Sequence, residues 1–140
     1  MTAAHNAARA AVMPAANPAI PQLTWSSSVA VVARAWAERC AFEHSSGNYG
    51  ENLYASAGKD ASPADVVGSW AGEAKNYDYA GNSCSGVCGH YTQVVWRKSQ
   101  RLGCGVANCS KNSPFPGFPN WQLWVCNYDP PGNFNNQRPY

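Results

Sequence analysis

Six cysteines in a chain of 140 residues constrain the fold before any other feature does. They are Cys40, Cys84, Cys88, Cys104, Cys109 and Cys126. A zinc site built from cysteines needs CxxC pairs, and the tightest spacing here is CxxxC, at Cys84 and Cys88. An even count in a chain with few charges therefore reads as a disulfide framework, which persists in an oxidising compartment. Six cysteines admit many pairings, and spacing alone does not choose among them.

The remaining composition narrows the class. Only 13% of residues are Asp, Glu, Lys or Arg, against roughly 25% in an average domain. Six Trp, seven Tyr and four Phe supply apolar bulk for a core, which excludes a disordered chain. The net charge of +2 is too small for a nucleic-acid stripe, and Arg97, Lys98, Arg101 and Lys111 read as a solvated face. No apolar run nears the roughly 20 residues that span a bilayer. The expectation is one soluble domain over residues 1–140, a monomer, with 130–140 as an extended tail rich in Pro, Gly and Asn. No secretory signal precedes Thr2, so the chain reads as a mature form behind a start Met.

Helical signals come first along the chain. Ala3 to Val12 reads as a short helix stopped by Pro14. Ser26, Ser27 and Ser28 offer N-cap hydroxyls for a helix running to about Glu43. Its buried stripe is predicted as Val29, Val32, Ala33, Trp36 and Cys40, at steps of three and four. Ser62-Pro63 starts a third helix, with Val66, Val67, Trp70, Ala74 and Tyr77 on its apolar face. Tyr91, Val94, Val95 and Lys98 predict a short fourth. Two alternating runs, Leu102 to Cys109 and Trp121 to Tyr128, predict an antiparallel pair, and Asn52 to Ala55 a third strand. Helices with a small antiparallel sheet make an α+β domain whose Trp-rich sheet needs helices on both faces.

Few residues advertise chemistry. Of the three histidines, His44 lies past the second helix with Glu51 soon after it, and His90 opens the fourth. Glu73 is off the apolar stripe of its helix, so it faces either water or a polar cleft. Two imidazoles with two carboxylates suit Zn²⁺ or a similar ion, yet these four residues lie on separate segments and spacing shows no convergence. There is no GxSxG elbow, no phosphate-cradling loop and, with paired cysteines, no free thiol nucleophile; no catalytic residue is assigned.

Longer strings carry more. Gly89-His90-Tyr91-Thr92-Gln93-Val94-Val95-Trp96 and Cys126-Asn127-Tyr128-Asp129-Pro130-Pro131-Gly132-Asn133-Phe134 resemble two signatures of the CAP superfamily. That group takes in cysteine-rich secretory proteins, antigen 5 and class 1 pathogenesis-related proteins. His44 with Gly50-Glu51-Asn52-Leu53, and Trp70 through Glu73 to Asn76-Tyr77, match two more. His5-Asn6 with Arg9 resembles the opening helix, and Leu23-Thr24-Trp25 the step after it. The matches run the length of the chain in order, nearest to the pathogenesis-related class 1 branch.

The resemblance implies an α-β-α sandwich with disulfides Cys40–Cys109, Cys84–Cys88 and Cys104–Cys126. It implies a central cleft holding His44, Glu51, Glu73 and His90, which in some members binds zinc or another divalent cation. Imidazoles must be neutral to ligate, so such binding weakens below roughly pH 6.5. His5 is expected to be structural, within the region of the opening helix. The implied function is a secreted, extracellular, non-enzymatic binding module for a sterol or other lipid, with a defence or antimicrobial role. Its candidate apolar surface is Pro114, Phe115, Pro116, Phe118, Pro119 and Trp121. The alternatives are a metal-dependent hydrolase with Glu51 or Glu73 as base, and a precursor whose peptide, Pro130 to Tyr140, is released after Asp129.

Overall fold

The computed structural model describes residues 1–140. Its long helix α2, Ser27–Ala37, is capped by Ser26, whose side chain accepts from the Val29 amide. It stops short of the predicted end near Glu43, and Cys40 turns the chain away with φ of 53°. The buried stripe is also rotated from the expected one, to Val29, Ala33 and Ala37, leaving Val32 47% exposed and Trp36 half-buried. The cause lies on the sheet beneath. A side chain at Gly103 would strike the backbone of Val29 and Ala30, and one at Gly105 that of Arg34. Two glycines let α2 settle with its small residues downward, where a Trp face would not fit.

That sheet has the strand order β1-β5-β6-β2. β5 (Arg101–Cys109) and β6 (Trp121–Asp129) are antiparallel. β2 (Gly50–Ala57) lies antiparallel to β6 at the outer edge, and β1 (Thr24–Trp25) adds a two-residue parallel step to β5. Trp121, Leu123 and Val125 face α2, with Leu53, Cys40 and Cys109 in the same core. The opposite face packs Leu102, Cys126 and Tyr128 against Val66, Val67, Trp70, Val94 and Val95. These come from α3 (Pro63–Ala71) and α4 (Gly89–Val94). With α1 (Thr2–Ala10) on the α3 and α4 side, the layers are those of the α-β-α sandwich.

α3 opens with a capping box, Ser62 and Asp65 each bonded to the other's backbone, and Pro63 in its first turn. Past Ala71 the chain tightens into a 3₁₀ turn, Gly72–Asn76. The change of period leaves Ala74 exposed, against the predicted apolar face, and turns Glu73 inward. A small hairpin follows, β3 (Tyr77–Asp78) with β4 (Ser83–Cys84).

The three disulfides are those the resemblance implied. Cys104–Cys126 bridges a registered pair on β5 and β6, and Cys40–Cys109 ties the segment after α2 to the end of β5. Beneath α1, the Arg9 guanidinium donates to the carbonyls of Pro21, Val94, Trp96 and Ser99. Burial pulls its pKa down to about 10. The tail after Asp129 has no regular structure but is bound down. Ser99 donates to the Pro130 carbonyl, the Gly132 amide to Gln93, and the Arg97 amide to Pro139. It therefore packs against α4 and the β3–β4 hairpin rather than over a sheet edge, with Arg138 bonded to the carbonyls of Tyr79 and Ala80.

Candidate functional site

Each predicted carboxylate meets one predicted imidazole. Glu73 reaches His90 Nδ1 from the 3₁₀ turn with Oε1 at 2.7 Å. Its Oε2 accepts the amides of His90 and Tyr91 at 3.0 and 3.1 Å. Glu51, at the start of β2, reaches His44 Nδ1 with Oε1 at 2.8 Å and takes the Ser45 amide on the same oxygen. A carboxylate only accepts, so each Nδ1 carries the proton and each neutral ring keeps its lone pair on Nε2. This is the arrangement in which a carboxylate orients an imidazole for a metal.

The two pairs lie on either side of β2. His90 is stacked on Trp70, ring planes 10° apart, and the Trp70 indole donates to the Leu53 carbonyl at the sheet edge. Asn52 donates to the His90 carbonyl and to the Tyr128 hydroxyl, both at 3.0 Å. Tyr128 continues to His5 Nε2 at 2.8 Å. His5 Nδ1 faces the Met1 carbonyl, which accepts only, so the Tyr128 hydroxyl donates to Nε2. Burial holds the Tyr128 hydroxyl protonated far above the usual phenol range and pulls His5 down to about 4. His5 is thus structural, though its reach extends beyond the opening helix to the floor of the cleft.

Nowhere do three or more His, Cys, Asp or Glu side chains gather around one point able to hold an ion. The two Nε2 lone pairs nonetheless have the chemistry to ligate a divalent cation, while one carboxylate oxygen, Glu51 Oε2, is buried with no hydrogen-bond partner. Asn127 Oδ1 is orphaned in the same way, on the residue directly opposite Glu51 across β2 and β6. Asn127 sits inside the Cys126–Phe134 string, but its unpaired oxygen has no signature in the sequence. Asn52 and Tyr128 were also passed over, because only the folded sheet aligns them beneath His90.

Beside His90 a cavity of about 390 Å³ opens along the β2 edge. Phe42, Leu53, Trp70 and Phe115 wall it, and Glu73 and His90 line its polar side; His44 and Glu51 do not line it. The predicted apolar loop surface is therefore split. Pro114 and Phe115 face this cavity, whereas Phe118 and Pro119 line a separate one of about 730 Å³ at the far end of the sheet. Trp121, also expected on that surface, is 3% exposed and belongs to the α2 core, its indole donating to the Lys111 carbonyl. No helix is long and apolar enough to cross a membrane.

Comparison with known proteins agrees with this architecture. The chain is 45% identical to pathogenesis-related protein 1 of Arabidopsis thaliana, over 97% of this chain and 78% of that protein. The structure of Schistosoma mansoni venom allergen-like protein 4 superposes with a TM-score of 0.75 at 29% identity, covering 99% of this chain and 90% of that one. A crystal structure of NaASP2 with Zn²⁺ gives 0.77 at 27% identity, covering 99% and 82%. The model of the cysteine-rich secretory protein family, CAP, matches residues 2–128, and with the sandwich, the disulfides and the paired histidines in place, the chain belongs to that family.

Proposed function

We propose that this chain is an extracellular, monomeric binding protein whose cleft takes a divalent cation through His44 and His90, with Glu51 and Glu73 behind them. One observation carries the reading: both rings give Nδ1–H to a carboxylate and leave the Nε2 lone pair unused. The Zn²⁺ in the NaASP2 structure, on a similar fold, supports the same choice of ion. When bound, the ion supplies a fixed positive charge. The chain's own part is to orient the rings, Glu73 by holding His90 against the first turn of α4 and Glu51 by holding His44 to the Ser45 amide. Titration calorimetry with ZnCl₂ tests it. Wild type binds one ion, the His44→Ala/His90→Ala variant binds none, and Glu73→Gln weakens binding about 10–100-fold. Equal binding by the double variant would sink the reading.

The apolar cavity favours a second ligand, a sterol or other lipid. Its volume falls within the roughly 300–1,000 Å³ of small-molecule sites, and half-exposed Phe42 stands in its wall. The defence role follows from the pathogenesis-related relative and rests on that kinship. Saturable uptake of labelled cholesterol, lost in Phe115→Asp, is the expected result; uptake unchanged by that substitution removes this ligand from the cavity. Hydrolysis narrows to one candidate base. Of the four carboxylate oxygens, three are engaged by imidazole or amide hydrogens, and only Glu51 Oε2 is free.

A further inference from the structure

The far end of the sheet carries a cavity that the cation cleft does not use. It holds about 730 Å³ between the β2–α3 loop and the β5–β6 loop, within the roughly 300–1,000 Å³ of small-molecule sites. Across its floor Ser56, Gln122 and Asn108 stand directly opposite one another on β2, β6 and β5, and all three line it. Registered partners leave the same face of a sheet. Here it is the face away from α2, because Gln122 alternates with Trp121 and Leu123.

The hydrogen bonds of this row fix which way its amides point. Gln122 Oε1 accepts from the Ala61 amide at 3.0 Å and from the Trp124 indole at 3.3 Å. Both of those groups only donate, so the oxygen end of Gln122 is determined. Its Nε2 must then donate to Asn108 Oδ1, at 3.1 Å, which leaves both hydrogens of the exposed Asn108 Nδ2 unused. Ser56 Oγ is shielded and has no partner within the protein, whereas buried hydroxyls ordinarily have one.

An aromatic side chain forms one wall. Phe118 is 51% exposed, its amide is tied to the Phe115 carbonyl, and its ring edge rests over Gly58, where an added Cβ would lie 3.4 Å away. At the rim the charges of exposed Lys59 and Asp60 cancel, and exposed Asn120 adds another amide. A lipid would leave these amides without partners, and an anion or cation would find no net charge to hold it. Amide donors beside an open aromatic face suit a sugar, whose hydroxyls both accept and donate and whose ring presents C–H groups to the π-cloud. We propose that this cavity is a binding site for a neutral saccharide, with one ring on Phe118 and its hydroxyls bonded to Asn108 Nδ2 and Asn120. The proposal does not rest on the cation reading, since none of His44, Glu51, Glu73 and His90 lines the cavity.

NMR titration of the folded, disulfide-bonded, ¹⁵N-labelled protein with chitotriose, cellotriose and laminaritriose tests it. At least one sugar should shift the Asn108 and Asn120 side-chain amides saturably, with a Kd near or below about 1 mM. Phe118→Ala should weaken that binding about tenfold and Asn108→Ala about fivefold. Phe118→Tyr keeps the ring and should change it less than about twofold. Both side chains are exposed, so these variants keep the fold. No saturable shift with any of the sugars up to about 10 mM overturns the site, as does an affinity that Phe118→Ala leaves unchanged. A trisulfated heparin disaccharide that binds tighter than every neutral sugar also overturns it and makes the cavity an anion site through Lys59.

Discussion

His90–Glu73 and His44–Glu51 share one hydrogen bond and little else. Both oxygens of Glu73 are in use, its histidine is stacked on Trp70, and Asn52 fixes the His90 carbonyl from below. Glu51 spends one oxygen and strands the other, while its histidine is 63% exposed on an irregular segment. One pair is clamped from four directions; the other hangs on a single carboxylate oxygen.

The largest effect should come from removing the covalent tie on the His44 side. Cys40–Cys109 closes 69 residues four positions before His44, while Cys84–Cys88 closes only four before His90. Chain-entropy reasoning gives about 4 kcal/mol for the first and about 2 kcal/mol for the second. Urea unfolding of the two double-Ser variants should show that order, and the reverse order would mean the His44 side is held by something else. Next is an acid effect acting through the clamped side. Folded His5 takes up a proton near pH 4 and the unfolded chain near 6.5. Unfolding between those values is accompanied by proton uptake, so stability falls as the pH drops, by about 3 kcal/mol over the window. The Tm of His5→Gln should vary less over that range; an equal slope removes His5 as the cause.

Glu73→Ala strips acceptors from two amides and an imidazole and should cost about 2–3 kcal/mol. Glu51→Ala also relieves a stranded oxygen and should cost under about 1 kcal/mol. Chemical denaturation giving equal costs would erase the asymmetry. The smallest effect belongs to His44→Ala, within about 0.5 kcal/mol for an exposed side chain, read from the same unfolding curves.

How far the chain announced this arrangement differs from one element to the next. α3 was legible from Ser62-Pro63, because capping is local chemistry, and so were the alternating strands β5 and β6. α2 was legible as a helix but not in its facing. Its stripe is chosen by Gly103 and Gly105, some 70 positions away, and periodicity cannot register the absence of side chains on a partner. Glu73 turns inward only because the helix tightens to 3₁₀ after Ala71. The four cleft residues came from motif resemblance, and their coupling as two separate pairs came from neither motif nor spacing. The stranded oxygens of Glu51 and Asn127 were invisible for the same reason: a missing partner is a property of the assembled sheet.

The two glycines beneath α2 make that helix a lever. A single methyl at Gly103 would wedge against the backbone of Val29 and Ala30 and one at Gly105 against that of Arg34, so either would push the rod, and the chain that leads on to His44, off its seat. The seat of that helix is thus set partly by two atoms of hydrogen, on the same strand whose Cys109 anchors the chain just beyond it.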